Sequence, residues 1–86
     1  MHELSLVTNL LRILETVRTE KNAASFLKIN LTVNPYSCLD EENINFIFRS
    51  MTKDLPVYKN AEIRIKRGGD PASREFILDN VEIELP

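Results

Sequence analysis

The chain has 86 residues, 43% of them hydrophobic, which is enough apolar material for one small core and too little length for a second. Its formal charge of −2 comes from 13 acids set against 11 bases. That balance creates no broad field for nucleic acid or anionic lipid. No run approaches the ~20 apolar residues of a membrane span, and the first residues are acidic and apolar where a signal peptide is basic and then apolar, so no membrane and a cytoplasmic location are expected. Cys38, the one cysteine, has no partner for an internal disulfide, and one thiol does not make the cysteine pairs of a structural zinc site. Such usage fits a reducing compartment.

In chain order, apolar residues at Leu6, Leu10, Ile13, Leu14 and Val17, joined by Val7 and Leu11, have helical spacing and predict a helix over 4–21. Arg12, Glu15, Arg18 and Glu20 fill its other side, and Asn22 suits a left-handed end. Leu27, Ile29, Leu31 and Val33 alternate with Lys28, Asn30 and Thr32, the period of a half-buried strand over 26–33. Asn34-Pro35 stops it, since proline lacks the ladder donor. Asp40 is placed to cap a second helix, with Glu41 and Glu42 in its positive first turn. Ile44, Ile47, Phe48 and Met51 carry that helix to about Lys53. After a loop at Pro56 and 58–60, Ala61, Ile63 and Ile65 alternate with Glu62, Arg64 and Lys66 as a second strand. Arg64, Lys66 and Arg67 form a basic run that Glu62, Asp70 and Glu75 interrupt, which reads as a solvated strand face and not as a phosphate site.

Gly68-Gly69-Asp70-Pro71 is a turn signal, expected to close the second and third strands into a hairpin over 67–73. In the last strand, Phe76 to Leu78 and Val81 to Leu85 have apolar phases shifted across Asp79-Asn80, which a β-bulge reconciles. The prediction is one α+β domain over 1–86, in the order helix, strand, helix, strand, strand, with both helices on one face of a three-stranded sheet. Tyr36, Phe46 and Phe48 are expected mostly in the core, Phe46 being the one placed off the main stripe. Cys38 has no basic neighbour nearby in sequence to lower its pKa and is expected to be packed or partly buried.

The single histidine is residue 2, directly behind the α-amine. Met1 and His2 together offer the terminal amine, the amide nitrogen of residue 2 and the imidazole, three nitrogens that close fused rings around one metal. Imidazole suits nickel, copper and zinc, and planar binding with a deprotonated amide favours nickel(II) or copper(II), copper being the stronger competitor by intrinsic affinity. Any chain can begin Met-His-Glu, and a terminal histidine can also be an idle, solvated one. Glu3 has a structural role open to it as well, since a carboxylate beside a helix start complements the macrodipole.

The opening Met1-His2-Glu3-Leu4-Ser5-Leu6, the strand Leu27-Lys28-Ile29-Asn30-Leu31-Thr32-Val33, the turn Tyr36-Ser37-Cys38-Leu39, the helix 43–53 with Phe46, Phe48 and Thr52-Lys53, and the closing 76–84 resemble the hydrogenase and urease nickel-incorporation family, HypA/HybF. Position 34 is Asn where that family usually has Gly, a change compatible with a positive φ. The resemblance implies a nickel(II)-binding metallochaperone in which His2 is the essential ligand, the Met1 amine and nearby backbone nitrogens complete the site, and Glu3 tunes it. It also implies delivery to a nickel-enzyme precursor such as that of a [NiFe] hydrogenase, together with a maturation GTPase. This chain has no phosphate loop, so GTP chemistry belongs to that partner. Family members carry two CxxC pairs in a zinc module between the last two strands. Here that interval holds no cysteine, and zinc is not expected.

Two functions of different classes follow: a nickel-binding accessory protein, and a protein-interaction or regulatory module of the same fold that has lost metal delivery. An enzyme is not expected, because no group with a local base or a pocket of tuned acids is evident. A homodimer through an exposed edge strand is compatible with the pattern.

Overall fold

Helix α1 (Glu3–Lys21) turns Leu6, Val7, Leu10 and Leu14 into the core, all fully buried. Ile13, on the flank of that stripe, is exposed. The helix stops at Asn22, whose φ of 52° is left-handed, and Ala23 N donates to Arg18 O at 3.2 Å. This is the long return bond of a Schellman end. The computed structural model describes residues 3–68 and 76–86. The remaining elements are β1 (Ser25–Val33), α2 (Glu41–Thr52), a 3-10 turn (Pro56–Tyr58), β2 (Glu62–Arg67) and β3 (Phe76–Glu84).

Strand β1 is the centre of the sheet, with β2 parallel on one side and β3 antiparallel on the other. A parallel neighbour needs a crossover, and α2 supplies it. Val33 is the register partner of both Arg67 and Phe76, so the expected hairpin between β2 and β3 does not form. β1 stands between them. The reason is burial: β1 contributes Phe26, Ile29, Leu31 and Val33, each 0–1% exposed, whereas β2 and β3 carry exposed charges that suit edges. The turn residues Gly69, Asp70 and Pro71 lie outside the described residues.

Both helices cover one face, and their apolar residues join those of β1 and β2 in a single core. On the open face stand Lys28, Arg64, Lys66, Glu82 and Glu84, all exposed. The bulge expected near Asp79-Asn80 is present: Asn30 pairs with Asn80 and Leu31 with Leu78, leaving Asp79 as the extra residue. Phe76, Leu78, Val81 and Ile83 thereby all turn toward the core. A second bulge falls at Leu27, between the pairs Phe26 with Ile83 and Lys28 with Glu82. Phe26 takes the inward place that strict alternation assigns to Leu27.

Edge strand β2 is closed by side chains of α2. Asn45, 7% exposed, accepts from Ile63 N at 2.8 Å and donates to Ile63 O at 2.9 Å. Its amide thus acts as one more strand residue. Glu41 Oε2 accepts from Ile65 N at 2.9 Å. These bonds fix the height of α2 along the sheet, because shifting it would strand buried backbone groups.

A second anchor joins α1 to the 3-10 turn. Tyr58 lies stacked on Phe26 with centroids 5.1 Å apart and meets Phe48 edge-on at 5.5 Å. Its hydroxyl donates to Glu15 Oε2 at 2.6 Å, and Arg18 donates to both Glu15 oxygens at 2.9 and 3.1 Å. The Arg18 guanidinium first, and then the Tyr58 hydroxyl, hold the Glu15 carboxyl below its ordinary 4.5. Burial, with the Glu15 bond behind it, pushes the Tyr58 hydroxyl up.

Asn45→Ala leaves Ile63 N and O without their partner and is expected to cost about 2–3 kcal/mol in urea denaturation, with the fold retained. A carboxyl whose folded pKa is depressed stabilises above its unfolded value, and that contribution is lost as pH falls through the folded one. The stability gap between the natural chain and Glu15→Gln is therefore expected to be full at neutral pH and to close as pH drops below 4.5. Urea midpoints across that range measure it.

Candidate metal centre

Glu3 opens α1 and is tied by both oxygens to the start of α2. Its Oε2 accepts from Asp40 N at 2.7 Å, and its Oε1 accepts from Asn43 Nδ2. Asp40 is the N-cap of α2, with extended backbone, and its Oδ1 accepts from Glu42 N at 3.2 Å. The Glu3 carboxylate thus serves donors at the positive end of a helix. Met1 and His2, the other two residues of the expected ligand set, lie outside the described residues. His2 is the residue joined by its peptide bond to the anchored Glu3.

The segment that carries Asp40 to this place is itself held. Ser37 N donates to Asn34 O at 3.0 Å, and Tyr36 N donates to Asn34 Oδ1 at 2.8 Å, which folds the chain sharply over Pro35. Asn34 therefore works through its side chain, and its φ is not positive, contrary to the reading of the Gly-to-Asn difference. Arg67, at the end of β2, donates to Leu39 O. Leu39 is buried just before Asp40, so the cap is pinned from both sides.

Four carboxylates, of Glu3, Asp40, Glu41 and Glu42, surround the α2 N-terminus. A helix start offers only about half a positive charge, and the Glu41 side chain is turned to Ile65. Among the described residues no group of three His, Cys, Asp or Glu side chains is arranged to hold a metal. Asp40 is the residue that sequence reasoning took only for a cap. Nothing in the linear chain signals its closeness to Glu3, 37 positions earlier.

Other candidates fall elsewhere. Cys38 is exposed, not packed, because the tight turn points it away from the core while Leu39 points in. Tyr36 is 81% exposed and so outside the core. Phe46 is 67% exposed while Phe48 is fully buried, as the helical phase of α2 dictates. Among the described residues no helix is long and apolar enough to cross a membrane.

Residues 1–70 match the family described as hydrogenase/urease nickel incorporation, metallochaperone, HypA. The hydrogenase maturation factor HypA of Moorella thermoacetica is 32% identical over 66 residues, 77% of this chain and 58% of that protein. The factor of the same name from Helicobacter hepaticus is 32% identical over the same length, 56% of its own chain. This chain thus spans just over half the length of these relatives. The solution structure of the nickel metallochaperone HypA from Helicobacter pylori superposes with a TM-score of 0.65 at 18% identity, covering 98% of this chain and 87% of that one. A second HypA solution structure gives a TM-score of 0.62 at 16% identity, with 98% and 92% covered. These two share the fold of two helices and a three-stranded mixed sheet. The chain belongs to the HypA family, a family of metallochaperones and not of enzymes.

Proposed function

We propose that this chain is a single nickel(II)-binding domain over 1–86 that serves as a cytoplasmic metallochaperone in the maturation of a nickel enzyme such as a [NiFe] hydrogenase. The observation that carries the reading is the family match beginning at Met1, together with the anchoring of Glu3 at a carboxylate-rich helix start. The metal is cargo. His2 supplies the imidazole and its own amide nitrogen, and the Met1 amine closes the second ring; deprotonated amide nitrogen selects an ion with a square-planar preference. Glu3, next in the chain and bonded to the start of α2, supports this chelate and leaves the binding itself to nitrogen.

Handover requires partners, a maturation GTPase and the enzyme precursor. Zinc takes no part in this reading, because Cys38 is the one cysteine of the chain and structural zinc sites draw on several. That same feature favours a second function, an interaction module that retains the fold without delivering metal. Pull-down from a nickel-enzyme-producing host separates the two: capture lost with chelator supports delivery, and metal-independent capture supports the module.

Titration of nickel(II) into protein with a free Met1 amine is expected to show one site, and His2→Ala is expected to weaken it by more than about 100-fold, beyond the usual effect of a supporting residue. Equal affinity of the two proteins sinks the proposal. Asn43→Ala removes a donor to Glu3 and changes neither Met1 nor His2. It is expected to weaken nickel about 10-fold while urea denaturation changes by about 1 kcal/mol or less. An unchanged affinity would show that Glu3 is merely a helix cap.

A further inference from the structure

The two edges of the sheet are treated differently. Along β2, Asn45 and Glu41 occupy Ile63 N, Ile63 O and Ile65 N, so an incoming strand finds that edge taken. Along β3 the backbone partner among the described residues is β1, extended by the bond from Ala24 N to Glu84 O at 2.8 Å. The far side of this nine-residue strand has no side chain or helix bonded along it among the described residues. The core is also thinner there. Phe76, Leu78, Val81 and Ile83 face the helices yet remain partly exposed, whereas Ile29 and Ile63 in the neighbouring strands are fully buried.

The exposed row of β3 is acidic. Asp79, Glu82 and Glu84 stand on it without a lysine or arginine anywhere in 76–86. Asp79 is bonded to Thr32, and Lys28, the register partner of Glu82, is equally the partner of Glu62 across β2. Glu82 and Glu84 make no ion pair among the described residues. A second copy of β3 laid along this edge would bring acid rows together, which disfavours it, since like charges on facing strands repel.

We propose that the outer edge of β3 receives an extended segment of a partner protein whose side chains alternate between apolar and basic. Backbone bonds to β3 supply the pairing. Apolar residues of the segment lie beside Val81 and Ile83 and complete the thin margin of the core, and basic residues on the other face meet Glu82 and Glu84. The bulge at Asp79 bends the strand, so pairing runs along the regular stretch from Asn80 to Glu84. This surface is independent of the nickel reading.

The test uses the full chain free of nickel, so its failure leaves the metal proposal untouched. A labelled short peptide alternating valine and lysine is titrated by fluorescence anisotropy, beside a peptide alternating valine and glutamate. Amide hydrogen exchange is followed by NMR. The lysine peptide is expected to bind and to slow exchange along β3, with no added protection at Ile63 or Ile65. The double change Glu82→Lys with Glu84→Lys is expected to weaken binding about 3- to 10-fold, and Glu20→Lys on α1 to leave it unchanged. Absent binding, equal binding of the glutamate peptide, or protection appearing at β2 overturns the proposal. So does a concentration-dependent dimer, seen by sedimentation, that protects β3 without any peptide.

Discussion

The amide of Asn45 pairing with Ile63 is the contact on which the rest of this molecule depends. A small sheet with a parallel pair must carry its crossover helix at a defined height, and apolar packing alone leaves a helix free to slide. Directional bonds do not. Asn45 and Glu41 bind α2 to the edge of β2, and the same helix start then becomes a fixed platform for everything attached to it. The cost of burying the amide is offset because both its oxygen and its nitrogen are satisfied.

On that platform Glu3, at the start of α1, is held by two donors of α2. Chain ends are usually loosely held, and a chelate built on one gains from an anchor one residue away. Glu3 provides it through donors that α2 already presents, Asp40 N and Asn43 Nδ2. The helix dipole that attracts Glu3 would by itself repel a cation. The carboxylates of Asp40, Glu41 and Glu42 at the same helix start oppose that effect.

Much of the architecture was legible in the residues because it is written in local period. The stripe of α1, the left-handed Asn22, the Asp40 cap and the bulge at Asp79 each follow from the chemistry of a few neighbouring side chains. The places where reading failed share a different cause. Hairpin closure of β2 and β3 looked natural from a short glycine-proline interval, yet the central position belongs to β1, whose apolar row is fully buried while that of β3 is only partly so. Tyr36 and Cys38 were assigned by residue type to the interior, whereas the turn over Pro35 sets their directions and leaves both outside. Leu27 lost its inward place to Phe26 through a bulge that alternation does not announce.

The sequence by itself determined the elements, their order and the lack of cysteine pairs, since all of these depend on covalent neighbours or on composition. Only the tertiary structure decided that Glu3 meets Asp40 and Asn43, that α2 seals one edge of the sheet, and that β3 forms the other edge, with nothing bonded along its far side among the described residues. Those facts join residues tens of positions apart, and their partners are chosen by burial and by the directional needs of backbone groups that no local pattern encodes.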